Sequence, residues 1–145
     1  MNTHLVRAAS VLTVLGLAVA CGGDDGTSPE NGNGNNPPTL SGDVQPILTA
    51  NCTTGCHGGA QPILGQNLSE GQTIASTVNV ASSELPTMDR IEPGEPDNSY
   101  LVNKIQGTQA SVGGIGERMP LNRDALTQEQ IDIVRAWIAD GAKDN

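Results

Sequence analysis

The chain has 145 residues and a formal net charge of −9, from 16 acidic and 7 basic side chains. This length suits one small domain, and the lack of a basic stripe excludes nucleic-acid binding through phosphate neutralisation. The acidity also argues against electrostatic docking on anionic lipid, whereas it fits a protein partner with a basic face.

Residues 1–20 have the pattern of an export signal, with Arg7 ahead of an apolar stretch at 11–20 that is too short to span a membrane. The sequence Leu-Ala-Val-Ala-Cys at 17–21 resembles a bacterial lipobox, although the leucine stands one position early. It predicts acylation of Cys21, and the alternative is ordinary secretory cleavage with Cys21 left free. Because Gly22 follows Cys21 in place of Asp, the segment resembles lipoproteins anchored in an outer membrane. We therefore expect an exported lipoprotein, periplasmic or on the cell surface.

The sequence divides into three parts. Residues 1–20 are the predicted lipoprotein signal peptide, and residues 21–38 are the lipidated cysteine and a linker rich in Gly, Asn and Pro. Such a composition buries too little apolar surface to fold, so the linker is predicted to be a disordered tether. Residues 39–145 form the predicted folded domain.

The first predicted helix begins at the N-cap Asp43 and ends near Asn51. Its apolar stripe consists of Val44, Ile47 and Leu48. The cysteine motif follows the predicted end of this helix directly.

Two further helices are predicted in the middle of the domain. One follows Ser69, with Gln72 completing a capping box. The other follows 96–97 and stops at Gly107, because glycine tolerates the left-handed conformation that ends a helix. The residues predicted to face inward on this helix are Leu101, Val102 and Ile105.

The last helix has the clearest pattern. Thr127 and Gln130 form a capping box, and Gly141 stands at the stop position. The apolar side chains fall on one face of the helix: Ile131, Ile133, Val134, Trp137 and Ile138.

Between the first two helices lies Cys52-Thr-Thr-Gly-Cys56-His57, one residue longer than the C-x-x-C-H signature of covalent haem attachment. Two thioether bonds would hold haem c through Cys52 and Cys56, and His57 would bind the iron as the proximal axial ligand. Lipid on Cys21 and haem on the other two cysteines would account for all 3 cysteines. Gly55 is expected to accommodate the extra residue.

Other interpretations of the motif remain. A Cys52–Cys56 disulfide would make the chain a haem-free surface lipoprotein. Zinc would need four ligands, and the motif supplies at most three. A nucleophilic cysteine would need a separate oriented base.

The distal iron ligand is limited by composition. Of the 2 histidines, His4 lies in the predicted signal, so His57 has no histidine partner within the mature chain. Met119 and Met88 remain. Met119 is favoured because Pro120 restricts it to an extended backbone, whereas the usual role of either methionine is to fill gaps in a core.

Four segments together resemble planctomycete-type cytochrome c domains: 43–48 with the cysteine motif and Gly58-Gly59, 92–101, 117–120, and 126–142. The resemblance implies an all-α, class I cytochrome c-like domain of three to five helices, with long loops wrapping a covalent haem and with the first and last helices crossing. It also implies His57 and Met119 as axial ligands.

The expected function is outer-sphere electron transfer by a membrane-tethered monohaem carrier, which is not an enzyme. Its expected partners are redox proteins with a basic docking face, and the membrane through the lipid anchor. Arg90, Arg118 and Lys104 are candidates to pair with the haem propionates. The alternatives are a gas-binding, sensing or peroxidase-like module with an open distal site, and the haem-free, disulfide-linked lipoprotein.

Overall fold

The structure is a computed structural model and describes residues 36–145. The predicted signal peptide, the lipidation site Cys21 and most of the predicted linker lie outside the described residues. Within 36–145, no helix has the length and apolarity needed to cross a membrane.

The first helical segment, α1, consists of three consecutive stretches: Leu40–Val44, Gln45–Leu48 and Thr49–His57. Its N-cap is Thr39, whose hydroxyl accepts the Gly42 amide at 3.1 Å. The predicted N-cap at Asp43 is therefore wrong. Asp43 instead lies in the first turn and accepts the Thr39 amide at 2.7 Å, a reciprocal arrangement similar to a capping box.

Segment α1 continues beyond its predicted end near Asn51. The backbone leaves helical geometry at Thr54 and Gly55. Gly55 has φ +77°, a conformation that glycine adopts without a steric penalty. The prediction of unusual backbone geometry at Gly55 is thus confirmed, and it places Cys52 and Cys56 on either side of a break in the helix.

Helix α2 spans Thr73–Thr77 and therefore begins later than the predicted start after Ser69. The capping box proposed for Ser69 and Gln72 is wrong, because the N-cap Gln72 makes no side-chain capping bond. Helix α3 spans Tyr100–Gln106 and ends at Gly107, which has φ +76°. The predicted stop is confirmed, as are the inward positions, which are all buried: Leu101, Val102 and Ile105.

Helix α4 spans Gln128–Ala139. The Thr127 hydroxyl accepts the Gln130 amide at 3.2 Å, and the Gln130 side chain accepts the Thr127 amide at 3.0 Å. The predicted capping box is therefore confirmed. Four of the five predicted inward residues are buried, Ile131, Val134, Trp137 and Ile138, and Ile133 is half-buried against the core.

The described part of the chain is all-α, as predicted. It contains no β-strand within 36–145, only the isolated bridges Val78–Ile91 and Ala81–Asp89. Short 3₁₀ turns at Ile63–Gly65, Pro96–Asn98 and Gln109–Val112 lie in the long connections. Helix α4 contacts α3 and the first stretch of α1, and these three helices supply most of the core.

Trp137 is the largest fully buried side chain of this core, at 1 % exposure. Its indole N–H donates to the Lys143 carbonyl at 2.9 Å. We expect Trp137→Ala to lower the free energy of unfolding by about 3–5 kcal/mol, because the truncation leaves a large cavity and an unpaired carbonyl. Chemical denaturation measures this loss.

The matched control is Glu129→Ala on the exposed side of the same helix, which removes one first-turn carboxylate and should cost no more than about 1 kcal/mol. Equal effects of the two substitutions would contradict the assignment of Trp137 to the core.

Candidate functional site

A mainly apolar cleft lies between the end of α1, the 57–68 loop, α3 and the loop before α4. It has about 720 Å³ of space not filled by protein atoms, a figure that includes the part open to solvent. Its apolar wall consists of Leu48, Ile63, Leu64, Leu68, Leu101 and Ile105.

His57 lines this cleft at the end of α1. Its Nδ1 lies 3.2 Å from the Gln66 carbonyl oxygen, and its own carbonyl accepts the Leu68 amide at 2.7 Å. With hydrogen on Nδ1, that nitrogen donates to Gln66 and Nε2 keeps a lone pair, as in most metal-bound histidines. Burial lowers the pKa of His57, which favours the neutral imidazole that a metal requires.

The two motif cysteines differ in environment. Cys52 is buried and lines the cleft, whereas Cys56 is half-buried and is not part of the cleft wall. Both are free thiols, with no disulfide between them. Burial raises the pKa of Cys52 to about 11, so the thiol is protonated at neutral pH and is a poor nucleophile.

The two candidate methionines lie in different places. Met119 is half-buried and lines the cleft together with Cys52 and His57. Its amide donates to the Lys104 carbonyl at 2.9 Å, which fixes its backbone to α3. Met88 lines a separate, acidic cleft that contains neither Cys52 nor His57.

A polar cluster forms the wall of the cleft next to Met119. Lys104 Nζ lies 2.8 Å from the Glu84 carboxylate and donates to the Ile115 carbonyl at 3.2 Å. The Tyr100 hydroxyl lies 3.2 Å from the same carboxylate and accepts the Ile115 amide at 3.2 Å. Burial and the nearby Glu84 charge raise the pKa of Tyr100. The cluster thereby links α3 to the loop that carries Met119.

Of the three candidate cations for haem propionates, Arg90 and Lys104 line the cleft and Arg118 does not. Arg118 Nη2 donates to the Arg123 carbonyl at 3.3 Å, while Nη1 is buried without a partner. No sequence pattern predicted a role for Glu84 or Gln66 in this cleft. Gln66 contributes through its backbone carbonyl, which no side-chain pattern encodes.

No known protein family matches this chain. No curated protein and no solved structure matches it either. Within residues 36–145, no three His, Cys, Asp or Glu side chains lie close enough together to bind a metal ion. A porphyrin iron needs only two protein ligands, so this finding does not bear on haem.

The lowered pKa of His57 predicts a pH-dependent stability for the chain prepared without haem. Because the imidazole binds a proton more weakly in the folded state than at its unfolded pKa of about 6.5, the unfolded state gains protons first. The contribution of His57 is therefore complete above about pH 6.5 and is lost as the pH falls towards the folded pKa. Denaturation between pH 7 and pH 5 measures it.

The control is His57→Gln, which removes the one imidazole within residues 36–145. This variant should lose less stability than the parent over that pH interval. The same pH dependence in both proteins would show that His57 is not buried as described.

Proposed function

We propose that this chain carries a covalently attached haem c and acts as a monohaem electron carrier with a class I cytochrome c-like fold. One observation carries the proposal: Cys52, His57 and Met119 line the same mainly apolar cleft. A thiol, an oriented neutral imidazole and a thioether form the set of groups that covalent attachment and His/Met ligation of a haem require.

The residues of the cleft fit a haem in three further respects. His57 would bind iron through Nε2, because Nδ1 is engaged with the Gln66 carbonyl. Met119 would supply a soft thioether from a backbone position that is bonded to α3. The apolar wall would exclude water. A haem bound there supplies reversible one-electron chemistry, and the His/Met pair favours the reduced state.

Attachment would proceed through Cys52 and Cys56, and Cys52 has the stronger support because it lines the cleft. The helix break at Gly55 lies between the two thiols. We propose that this break allows the three-residue spacing to serve the role that two residues serve in the usual signature.

The sequence supports a location and a type of redox partner for the proposed carrier. Acylation of Cys21 would tether the domain to an outer membrane through the linker, on the periplasmic or cell-surface side. The net charge of −9 favours a redox partner with a basic docking face, whose association would weaken as ionic strength rises.

Haem attachment is tested by expressing the chain with the cytochrome c maturation factors. We expect a pyridine haemochrome spectrum and pigment that resists extraction by acidified acetone, because thioether bonds survive this treatment. The matched control is the double variant Cys52→Ser with Cys56→Ser, from which the pigment should be extractable or absent. A colourless parent protein, or one that loses its pigment to the solvent, would refute the proposal.

The distal ligand is tested with two methionine variants. Met119→Ala should abolish the Met–iron charge-transfer band and lower the reduction potential, because the thioether ligand stabilises the reduced iron. Met88→Ala, in the separate cleft, should leave both unchanged. Loss of the band in Met88→Ala instead would reverse the assignment, and an unchanged spectrum in both would favour a sensor or peroxidase-like site.

A further inference from the structure

Arg90 is a buried cation in the wall of the cleft, at 7 % exposure. Its Nη1 donates to the carbonyls of Ser76 at 2.7 Å and Gly65 at 3.3 Å. Its Nη2 donates to the Leu64 carbonyl at 2.7 Å and the Ser83 hydroxyl at 3.1 Å. None of the ion pairs within residues 36–145 involves Arg90.

These bonds engage the four N–H groups of the two terminal nitrogens. Arg90 therefore joins three segments of the cleft: the Ile63–Gly65 turn, helix α2 through Ser76, and the loop at Ser83. A buried charge is tolerated only where it is well hydrogen-bonded, so the three segments must keep their relative positions to stabilise it.

The Ile63–Gly65 turn has a strained backbone. Leu64 has φ +53° and ψ +24°, and Gly65 has φ +66°. Leucine rarely adopts the left-handed conformation, and such strain persists only where the surroundings impose it. Leu64 is 54 % exposed, so packing of its side chain does not explain the conformation. The turn is instead held through its carbonyls, which accept two bonds from Arg90 and a longer one, at 3.5 Å, from the Ser83 hydroxyl.

The Ile63–Gly65 turn is followed directly by Gln66, whose carbonyl orients His57. Gly65 and Gln66 donate their amides to the Pro62 and Ile63 carbonyls at 3.0 and 3.1 Å. The next carbonyl, of Gln66, is the acceptor 3.2 Å from His57 Nδ1. The position of this acceptor therefore depends on the turn that Arg90 holds.

We propose that Arg90 is a positioning residue for His57, acting through the Ile63–Gly65 turn and the Gln66 carbonyl. The role of His57 as iron ligand rests on the proposed function above. Arg90 acts here on backbone carbonyls, and this role takes the place of propionate pairing, because its terminal N–H groups are already engaged.

Two substitutions separate the charge of Arg90 from its geometry. Arg90→Lys keeps a cation but concentrates its donors on one nitrogen, which cannot reach four acceptors spread around a planar guanidinium. Arg90→Gln also removes the charge. Ser83→Ala is a milder variant, which removes one acceptor of Arg90 and the hydroxyl that itself donates to the Leu64 carbonyl at 3.5 Å. The matched control is Arg135→Gln, which removes a guanidinium that forms a surface ion pair with Asp97.

The first measurement is amide hydrogen exchange at Gly65 and Gln66 in the full chain, followed by NMR. Both Arg90 variants should exchange at least about tenfold faster, since charge-assisted hydrogen bonds are lost. Ser83→Ala should change the rates in the same direction by less, and Arg135→Gln should leave them unchanged.

The second measurement is the set of paramagnetically shifted haem resonances, which report the orientation of the axial imidazole. They should move in Arg90→Lys as well as in Arg90→Gln.

Exchange rates within about twofold of the parent in the Arg90 variants would overturn the inference. Faster exchange with unmoved haem resonances would also overturn it, because Arg90 would then stabilise the turn without positioning His57. If the Arg90 variants do not fold, the test uses the exchange rates of the Gly65 and Gln66 amides in Ser83→Ala. Rates that are unchanged from the parent in that variant refute the role of Arg90.

Failure of the proposed function has a different signature, which is a parent protein without haem. The role of Arg90 is then decided on that haem-free chain by the exchange rates and by the ¹⁵N shifts of the His57 ring. These shifts should move in the Arg90 variants if the bond from Nδ1 to Gln66 weakens, and constant shifts would overturn the role.

Discussion

The arrangement of the cleft depends on one hydrogen bond, between His57 Nδ1 and the Gln66 carbonyl. A half-buried imidazole with one nitrogen bonded to a fixed carbonyl has a defined tautomer and ring orientation. The end of α1 carries the ring, and the amide of Leu68 holds its backbone. Without the Gln66 carbonyl the ring would lose the hydrogen bond that fixes its Nδ1 side.

The two sides of the cleft are held by different chemistry. On the His57 side, a buried guanidinium binds backbone carbonyls of three segments. On the Met119 side, α3 supplies a backbone carbonyl for the Met119 amide, while Lys104 and Tyr100 bind the backbone of Ile115. Both sides place charge at the edge of an apolar space, where hydrogen bonds are stronger and unpaired groups cost more than in water.

Much of the fold could be predicted from local patterns. The α4 capping box, the stop at Gly107 and the left-handed Gly55 each depend on residues within one turn of the chain, so sequence spacing determines them. The N-cap of the first helix was predicted wrongly because two nearby residues are both suitable N-caps. Thr39 and Asp43 both carry oxygen acceptors, and the longer α1, packed against α4 through its first stretch, makes Thr39 the cap. The capping box predicted at Ser69 is wrong because α2 begins at Thr73, so that Gln72 is the N-cap.

The sequence by itself determined the helical class, the stop of α3 at Gly107, the capping box of α4, and the pairing of a thiol with an adjacent imidazole at the end of α1. Only the tertiary structure decided that Met119 and not Met88 shares the cleft with His57, that the Gln66 carbonyl orients the imidazole, and that Arg90 binds carbonyls. The physical reason is how far apart along the chain the contacting residues lie. Capping and stop signals are hydrogen bonds and backbone conformations within a few residues, whereas these contacts join distant segments, and several use backbone atoms that are the same in every residue.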